Sequence, residues 1–332
     1  MNDEAMPRRE QLLHLLADGD NHSGERLAEQ LQVTRAAVWK LVQTLRDLGV
    51  VIEAQHQGYR LPHALDLLDA QQLQQLISAP KLHIDVLFTV DSTNRYLNQF
   101  DMVAHAPRLC VAEIQQAGRG RRGRQWQAPF GSGICMSLGY LFAEMPPGFS
   151  ALSLVVGVAL VRVLRGMGVT EAGLKWPNDV LWRGKKLAGV LIEMRGEPDG
   201  PAQVVIGMGM NVQLPEATRR SLAEQHTSVC DVQEALGQTV GQRVSRNELV
   251  AQITRELLAC LPEFAQHGFA PFIAEWQGYD ALRHAEVVVH GADRDVLGVA
   301  QGVAEDGSLL ILNSDGVQRF VSGEVSLRAR SR

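Results

Sequence analysis

Three apolar stripes at helical spacing, followed at once by a hairpin pattern, leave the first sixty-odd residues few ways to fold. Leu12, Leu13, Leu15 and Leu16 make one apolar helix, and Ser23 can cap a second with Leu27, Ala28 and Leu31 facing inward. After a break at Gln32 and Val33, Thr34 is a good N-cap for a third, since its hydroxyl can accept from a backbone N–H the helix leaves free. Val38, Leu41, Leu45 and Leu48 form its stripe, and Gly49 is placed to end it. Residues 50–53 and 59–61 then pair around Gln57 and Gly58. Helix, short turn, helix and hairpin describe a winged helix-turn-helix, and Pro62 opens a linker.

The pattern changes twice more. Residues 109–114, 134–141, 190–194 and 204–208 read as short strands, and 152–167 and 249–264 as helices. Neighbouring strands with a turn-like Arg183-Gly184 between them predict hairpins, hence an α+β domain and not a repeating βαβ unit. From about Ala281, strands at 287–289, 296–303, 309–312 and 317–321 are separated by Asp306-Gly307 and Asp315-Gly316, which predicts a small β-barrel.

Composition narrows the partners. A net charge of -5 argues against a protein that coats nucleic acid indiscriminately, although a local basic patch depends on where the charge sits. Cys110, Cys135, Cys230 and Cys260 are too scattered for a zinc site or a disulfide framework, and a reducing cytoplasm suits them. Residues 1–9 hold no apolar run, so no secretory signal is expected. Residues 152–164 are interrupted by Arg162 and too short to span a bilayer, so they read as a buried helix and no membrane partner is expected.

The third helix carries the nucleic-acid signal. Opposite its leucine stripe lie Arg35, Ala36, Lys40, Gln43 and Arg46, with no acid before Asp47. In a helix-turn-helix this is the face shown to base edges and phosphates, with Thr34 at its start. The alternative is a trihelical interaction domain that keeps the fold without DNA.

The densest chemistry is Gly118-Arg119-Gly120-Arg121-Arg122-Gly123, which matches GxGxxG literally. A dinucleotide fold needs a helix opening at the third glycine, whereas Trp126, Pro129, Gly131 and a strand follow here. Kinase and Walker A elements are absent from the sequence. A clamp fits better: glycines let the backbone approach a ligand, and guanidinium forks neutralise phosphate or carboxylate oxygens. A solvated basic loop is the competing reading.

The loop has companions. Asp91-Ser92-Thr93-Asn94 lies upstream. Downstream come Lys175-Trp176-Pro177-Asn178-Asp179, Lys185-Lys186-Leu187-Ala188-Gly189 and Gly207-Met208-Gly209-Met210-Asn211. In this order and spacing the chain resembles biotin protein ligases, specifically the bifunctional ligase–repressor type with an N-terminal winged helix. The resemblance extends to Gly323-Glu324-Val325-Ser326-Leu327-Arg328.

It implies a winged helix-turn-helix over 1–65, a class II synthetase-like α+β catalytic domain over 66–278 and an SH3-like barrel over 279–332. It also implies formation of biotinyl-5'-AMP from biotin and ATP with Mg2+, then transfer to a lysine of the biotin carboxyl carrier protein. A cytoplasmic protein that dimerises when liganded and represses at a biotin operator is the further implication. Ser92, Thr93, Asn94 and Gln115 would bind the ureido end of biotin, and Arg119, Gly120 and Arg121 would fold over biotin and the adenylate. Lys186 would meet the carboxylate and α-phosphate, Lys175 the ATP phosphates, and Asp179 Mg2+ or the incoming lysine. Trp126 would stack on adenine, with Asn178 and Asn211 at the nucleotide. One stretch departs from the family: residues 214–242 are longer than expected where the adenylate is covered, keeping only Thr227-Ser228. Lipoate or octanoate ligation, and a ligand sensor without activity, are the competing functions.

Overall fold

The computed structural model describes residues 6–196, 200–225, 227–237, 244–290, 295–321 and 326–329. Helices α1 (Arg8–Leu16), α2 (Gly24–Gln30) and α3 (Arg35–Asp47) precede a hairpin of β1 (Glu53–Gln55) and β2 (Gly58–Arg60). The caps fall where the sequence puts them: Ser23 Oγ accepts from Arg26 N and Thr34 Oγ1 from Ala37 N. Two details differ. Val42 is fully buried while Leu41 is only partly so, because the stripe turns further around α3. Pairing begins at Glu53, three residues late, since Val50 and Ile52 are drawn into the core before the chain reaches the hairpin. The hairpin is held to the α1–α2 turn by reciprocal His22–Tyr59 backbone bonds of 2.9 Å. A Cβ on Gly58 would lie 2.1 Å from His22 O, so only glycine fits there.

This small core does not close on itself. Leu65 and Leu67 of the linker pack against it, and so do Phe88 and Phe130 from the central domain, whose rings lie 5.1 Å apart.

The central domain runs α4 (Ala70–Ile77), β3 (His83–Val90), α5 (Thr93–Leu97), β4 (Arg108–Gln115), β5 (Gly133–Phe142), α6 (Leu152–Gly166), β6 (Ala172–Lys175), β7 (Asp179–Trp182), β8 (Lys185–Gly196), β9 (Ala202–Asn211), α7 (Glu216–Glu224), α8 (Val232–Ala235), α9 (Arg246–His267) and α10 (Ile273–Tyr279). Its seven-stranded sheet has the order β3-β4-β5-β9-β8-β7-β6. Only β3 and β4 are parallel, joined through α5; every other neighbour is antiparallel, as the hairpin reading expects. Arg183 and Gly184 both take positive φ, the two-residue turn that matches strand twist between β7 and β8. With the turn before it, α6 gives an apolar stretch, Phe149–Gly166, that by length and composition alone could cross a membrane. Instead it packs with α9 in the core, where eleven of its residues are buried.

Strands β10 (Glu286–His290), β11 (Asp295–Val303), β12 (Leu309–Asn313), β13 (Gly316–Phe320) and β14 (Ser326–Ala329) form a five-stranded antiparallel sheet, the small SH3-like domain. Its inner residues Val287, Val289, Leu309 and Ile311 join the central core. Buried Trp176 fixes the junction by donating Nε1–H to Gly307 O at 3.0 Å. Of the motif beginning at Gly323, the residues Gly323, Glu324 and Val325 lie outside the described residues.

Candidate active site

The end of β3 delivers Ser92, Thr93 and Asn94 to the start of α5, beside Gln115 at the end of β4. The Thr93 amide and hydroxyl both donate to Gln115 Oε1, at 2.8 and 3.1 Å. Ser137, fully buried on β5, stands 2.6 Å from both Thr93 Oγ1 and Asn94 Oδ1. Asn94 Nδ2 donates to Leu191 O and Glu193 Oε2 at 3.2 and 3.0 Å. The Asn94 amide is therefore occupied by the protein, and a Cβ on Gly207 would lie 2.1 Å from its oxygen. Ser92, by contrast, is buried at the N-cap, and its side chain makes no capping bond to α5.

Next in the chain comes the Gly–Arg loop. Gly120 N donates to Arg124 O at 2.7 Å and Trp126 N to Gly118 O at 3.0 Å, so it folds back as a narrow hairpin. Arg122 and Gly123 adopt positive φ at its tip, and no helix follows. Arg119 pairs with Glu193 at 2.8 Å, and Arg121 approaches Asn178 at 3.4 Å. Burial lowers the Arg121 pKa, and the negative charge of Asp179 opposes that shift. The loop lines an open cavity of about 620 Å³ together with Arg95, Ser153, Asn178 and Ile192.

Lys186 owes its position to an irregularity. Between β7 and β8 the register passes from Val180↔Ala188 to Leu181↔Lys186, leaving Leu187 as an extra residue that is buried. Such a bulge re-aims the side chains beside it, and it brings Lys186 onto the face of Gly189, whose Cβ would lie 3.2 Å from Lys186 Nζ. The ammonium sits 2.6 Å from Asp179 Oδ1 and 5.8 Å from the Trp126 ring centroid. Lys175 is directly across from Asp179 in the β6–β7 ladder. Trp126 lies over the cross-strand pair Gly189↔Gly209; a Cβ on Gly209 would be 2.2 Å from its ring. Its Nε1 is buried without a partner among the described residues.

The stretch that departs from the family supplies the wall beside Lys186. Lys186 N donates to Ser228 O at 2.9 Å, and Lys186 O accepts from Cys230 N at 3.0 Å. Asn211 Nδ2 donates to Cys230 O and Lys186 O, at 3.0 and 3.4 Å, so its amide serves the backbone here. Arg219 on α7 pairs with buried Asp231 and, at 2.6 Å, with Glu234, which also takes Lys185 at 2.9 Å. Within this stretch, residues 226 and 238–242 lie outside the described residues.

Sequence reasoning missed Ser137, Glu193, Arg219 and Asp231. Ser137 and Glu193 act on residues far away in the chain and Arg219 on the next helix, so no local spacing marks them, whereas Asp231 carries a local signal as the N-cap of α8, accepting from Glu234 N at 2.8 Å. No group of three or more His, Cys, Asp or Glu able to hold a metal occurs among the described residues. All four cysteines are buried, and burial pushes Cys135, beside Gln115, up to about 12, so none is poised as a nucleophile.

On α3, Arg35, Ala36 and Lys40 are exposed and Gln43 partly so. Arg46 instead donates to Ile52 O at 2.7 and 3.2 Å, tying the helix to the residue that leads into β1. Arg35 pairs with Glu25 at 3.0 Å across largely exposed surface. Trp39, which the sequence reading passed over, stands 54% exposed in the middle of this face.

Known proteins are similar to this chain along its length. Residues 86–211 match the biotin/lipoate A/B protein ligase family, residues 8–60 an HTH domain, and residues 286–328 the biotin protein ligase C-terminal domain. The bifunctional ligase/repressor BirA of Escherichia coli is 38% identical over 99% of both chains. The biotin–[acetyl-CoA-carboxylase] ligase of Mycobacterium tuberculosis is 33% identical over 74% of this chain and 90% of its own. A biotin protein ligase from Aquifex aeolicus, solved with biotin and ATP, superposes with a TM-score of 0.61 at 28% identity, covering 75% of this chain and 99% of the other. With matches from the helix-turn-helix to the terminal sheet, the chain belongs to the bifunctional biotin ligase/repressor family.

Proposed function

We propose that this protein is an ATP-dependent biotin protein ligase that forms biotinyl-5'-AMP, passes biotin to a carrier lysine, and represses biotin synthesis genes. The observation that carries the reading is the Lys186–Asp179 pair beside the Trp126 ring, with Arg121 of the loop reaching the adjoining Asn178. A carboxylate is a poor acyl donor because its leaving group would be oxide. Attack by a biotin carboxylate oxygen on the ATP α-phosphorus expels pyrophosphate and leaves AMP as the leaving group. The carrier amine then attacks the acyl carbon, loses its proton and releases AMP.

The chain's part is positioning and charge neutralisation. Ser92, Thr93, Asn94 and Gln115 bind the ureido end, with Asn94 acting through the pocket wall; Arg119, Gly120 and Arg121 close over the acyl phosphate. The Lys186 ammonium meets charge at the α-phosphate, Lys175 the outer phosphates, and Trp126, Asn178 and Asn211 form the nucleotide side. Mg2+ is usually held by one or two carboxylates together with substrate phosphates. Asp179 is a fitting protein ligand for such a shared ion, which would neutralise phosphate charge. Asp179 is also placed to steer the incoming amine.

The working division is 1–65 for DNA, 66–278 for catalysis and 279–332 for the terminal barrel, in a cytoplasmic protein. One winged helix offers few phosphate contacts, so tight operator binding calls for two copies. Asn178 takes both the amide and the carbonyl of Val190, and beyond it no described strand covers that side of β8, leaving an edge that a second liganded copy can pair with. ATP–pyrophosphate exchange with biotin, lipoate and octanoate side by side tests the substrate. Exchange should need biotin and Mg2+; equal exchange with lipoate would overturn the assignment.

A further inference from the structure

We propose that Glu193 is a positioning residue that makes the biotin-end pocket and the Gly–Arg loop close as one unit, an inference resting on the adenylating function above. Its carboxylate is shared between elements far apart in sequence. Oε1 accepts from Arg119 Nη1 at 2.8 Å; Oε2 accepts from Asn94 Nδ2 at 3.0 Å and Asn98 Nδ2 at 3.1 Å. Arg119 belongs to the loop, Asn94 to the first turn of α5 and Asn98 to its C-cap, while Glu193 itself is fixed in the ladder opposite Val205. The side chain alternates with the neighbours it needs: Gly189, Leu191 and Glu193 share one face of β8 beyond the bulge, the face of Trp126 and Asn94.

The Arg119 pair alone would count for little, because the arginine is half exposed and water screens surface pairs. Its consequence comes from the second oxygen. The two amides hold the carboxylate in a single orientation, so the loop arginine meets a fixed acceptor. In turn, Asn94 can present only its oxygen to Ser137, because its NH2 is taken by Glu193 and by Leu191 O. A shift in the loop is thereby felt at Asn94, and a filled pocket steadies the loop.

Two substitutions separate the halves of this role. In E193Q the amide oxygen can still accept from both asparagines, but the new NH2 faces the Arg119 donor, so the pocket survives and the latch is lost. In E193A both are lost. E193A should raise the biotin KM about tenfold or more, as expected when hydrogen bonds to a charged group go. E193Q should leave that KM within about twofold of wild type. Both should release adenylate early, seen as about two- to fivefold more biotinylation of a bystander protein than wild type gives, the range an exposed pair can supply. Any other pattern overturns the proposal, including equal KM values in the two variants, or lower melting temperatures with KM and bystander labelling unchanged. Failure of the wild-type protein to make adenylate from biotin would instead overturn the underlying function.

Discussion

Lys186 and Asp179 face each other at 2.6 Å only because β8 carries an extra residue at Leu187. In an unbroken strand, Lys186 and Gly189 would point to opposite faces of the sheet. The bulge brings them together and sets the ammonium beside the indole-covered glycine floor.

From this follows the effect of Lys186→Ala. One preorganised charge donor at a reacting phosphate is typically worth ~3 kcal/mol, or roughly a hundredfold in rate. Single-turnover adenylate formation should slow by that order while biotin binding changes far less. An unchanged rate would reduce Lys186 to a partner for Asp179.

Arg219→Ala addresses the wall beside the lysine. Asp231 is almost fully buried and is held by Arg219 and by the backbone amides of Leu214 and Glu234. Removing one partner of a buried pair typically costs about 3 kcal/mol or more. Denaturant unfolding should show a loss of that order, with adenylation slowed as the 228–230 segment loosens from Lys186. A loss under about 0.5 kcal/mol would show that the carboxylate finds water instead.

Acid stability should depend on Glu275. Its hydrogen bonds from Arg162 hold it below the usual carboxylate range, against the opposing effect of burial. A carboxyl depressed in the folded state binds fewer protons there than when unfolded. Its stabilisation is therefore fully present above the unfolded value of about 4.3, and it fades as pH falls through the lower folded value. Melting temperatures followed from pH 6 downward should fall less steeply for Glu275→Gln than for wild type. Parallel curves would mean that Arg162 is satisfied by Glu256 alone, at 2.8 Å.

The two ends of the chain should respond to one ligand. If biotinyl-5'-AMP favours a dimer, the population shifts towards the form that can engage two half-sites. Operator titrations with biotin plus ATP should show tighter binding than without, and Trp39→Ala should weaken specific binding while leaving the salt dependence nearly unchanged. Equal binding in both conditions would show two domains that are joined but uncoupled.

Where chemistry is local, the sequence is readable. Ser23 and Thr34 announce helix starts because a cap is satisfied within three residues. Long strands β5 and β9 show as apolar runs. Strands β6 and β7 are buried along three of their four residues each, but four residues are too few to show a period. The loop arginines and Lys186 stand in recognisable motifs, but their keepers do not. Ser137 meets Thr93 across 44 positions and Glu193 meets Asn94 across 99, so their roles exist only once the sheet has formed. The bulge at Leu187 is equally silent, since a strand with one surplus residue spells no differently from a regular one.

Phe88 and Phe130, which complete the N-terminal core from outside it, bear on how this protein can be taken apart. A fragment ending at residue 65 would keep every helix and the wing yet carry a raw apolar scar where the two rings had been. Grafting a relative's DNA-reading module onto this catalytic body would likewise need the seam beneath Leu65 and Leu67 to match, so operator preference cannot be exchanged by swapping α3's neighbourhood wholesale without re-tailoring that seam.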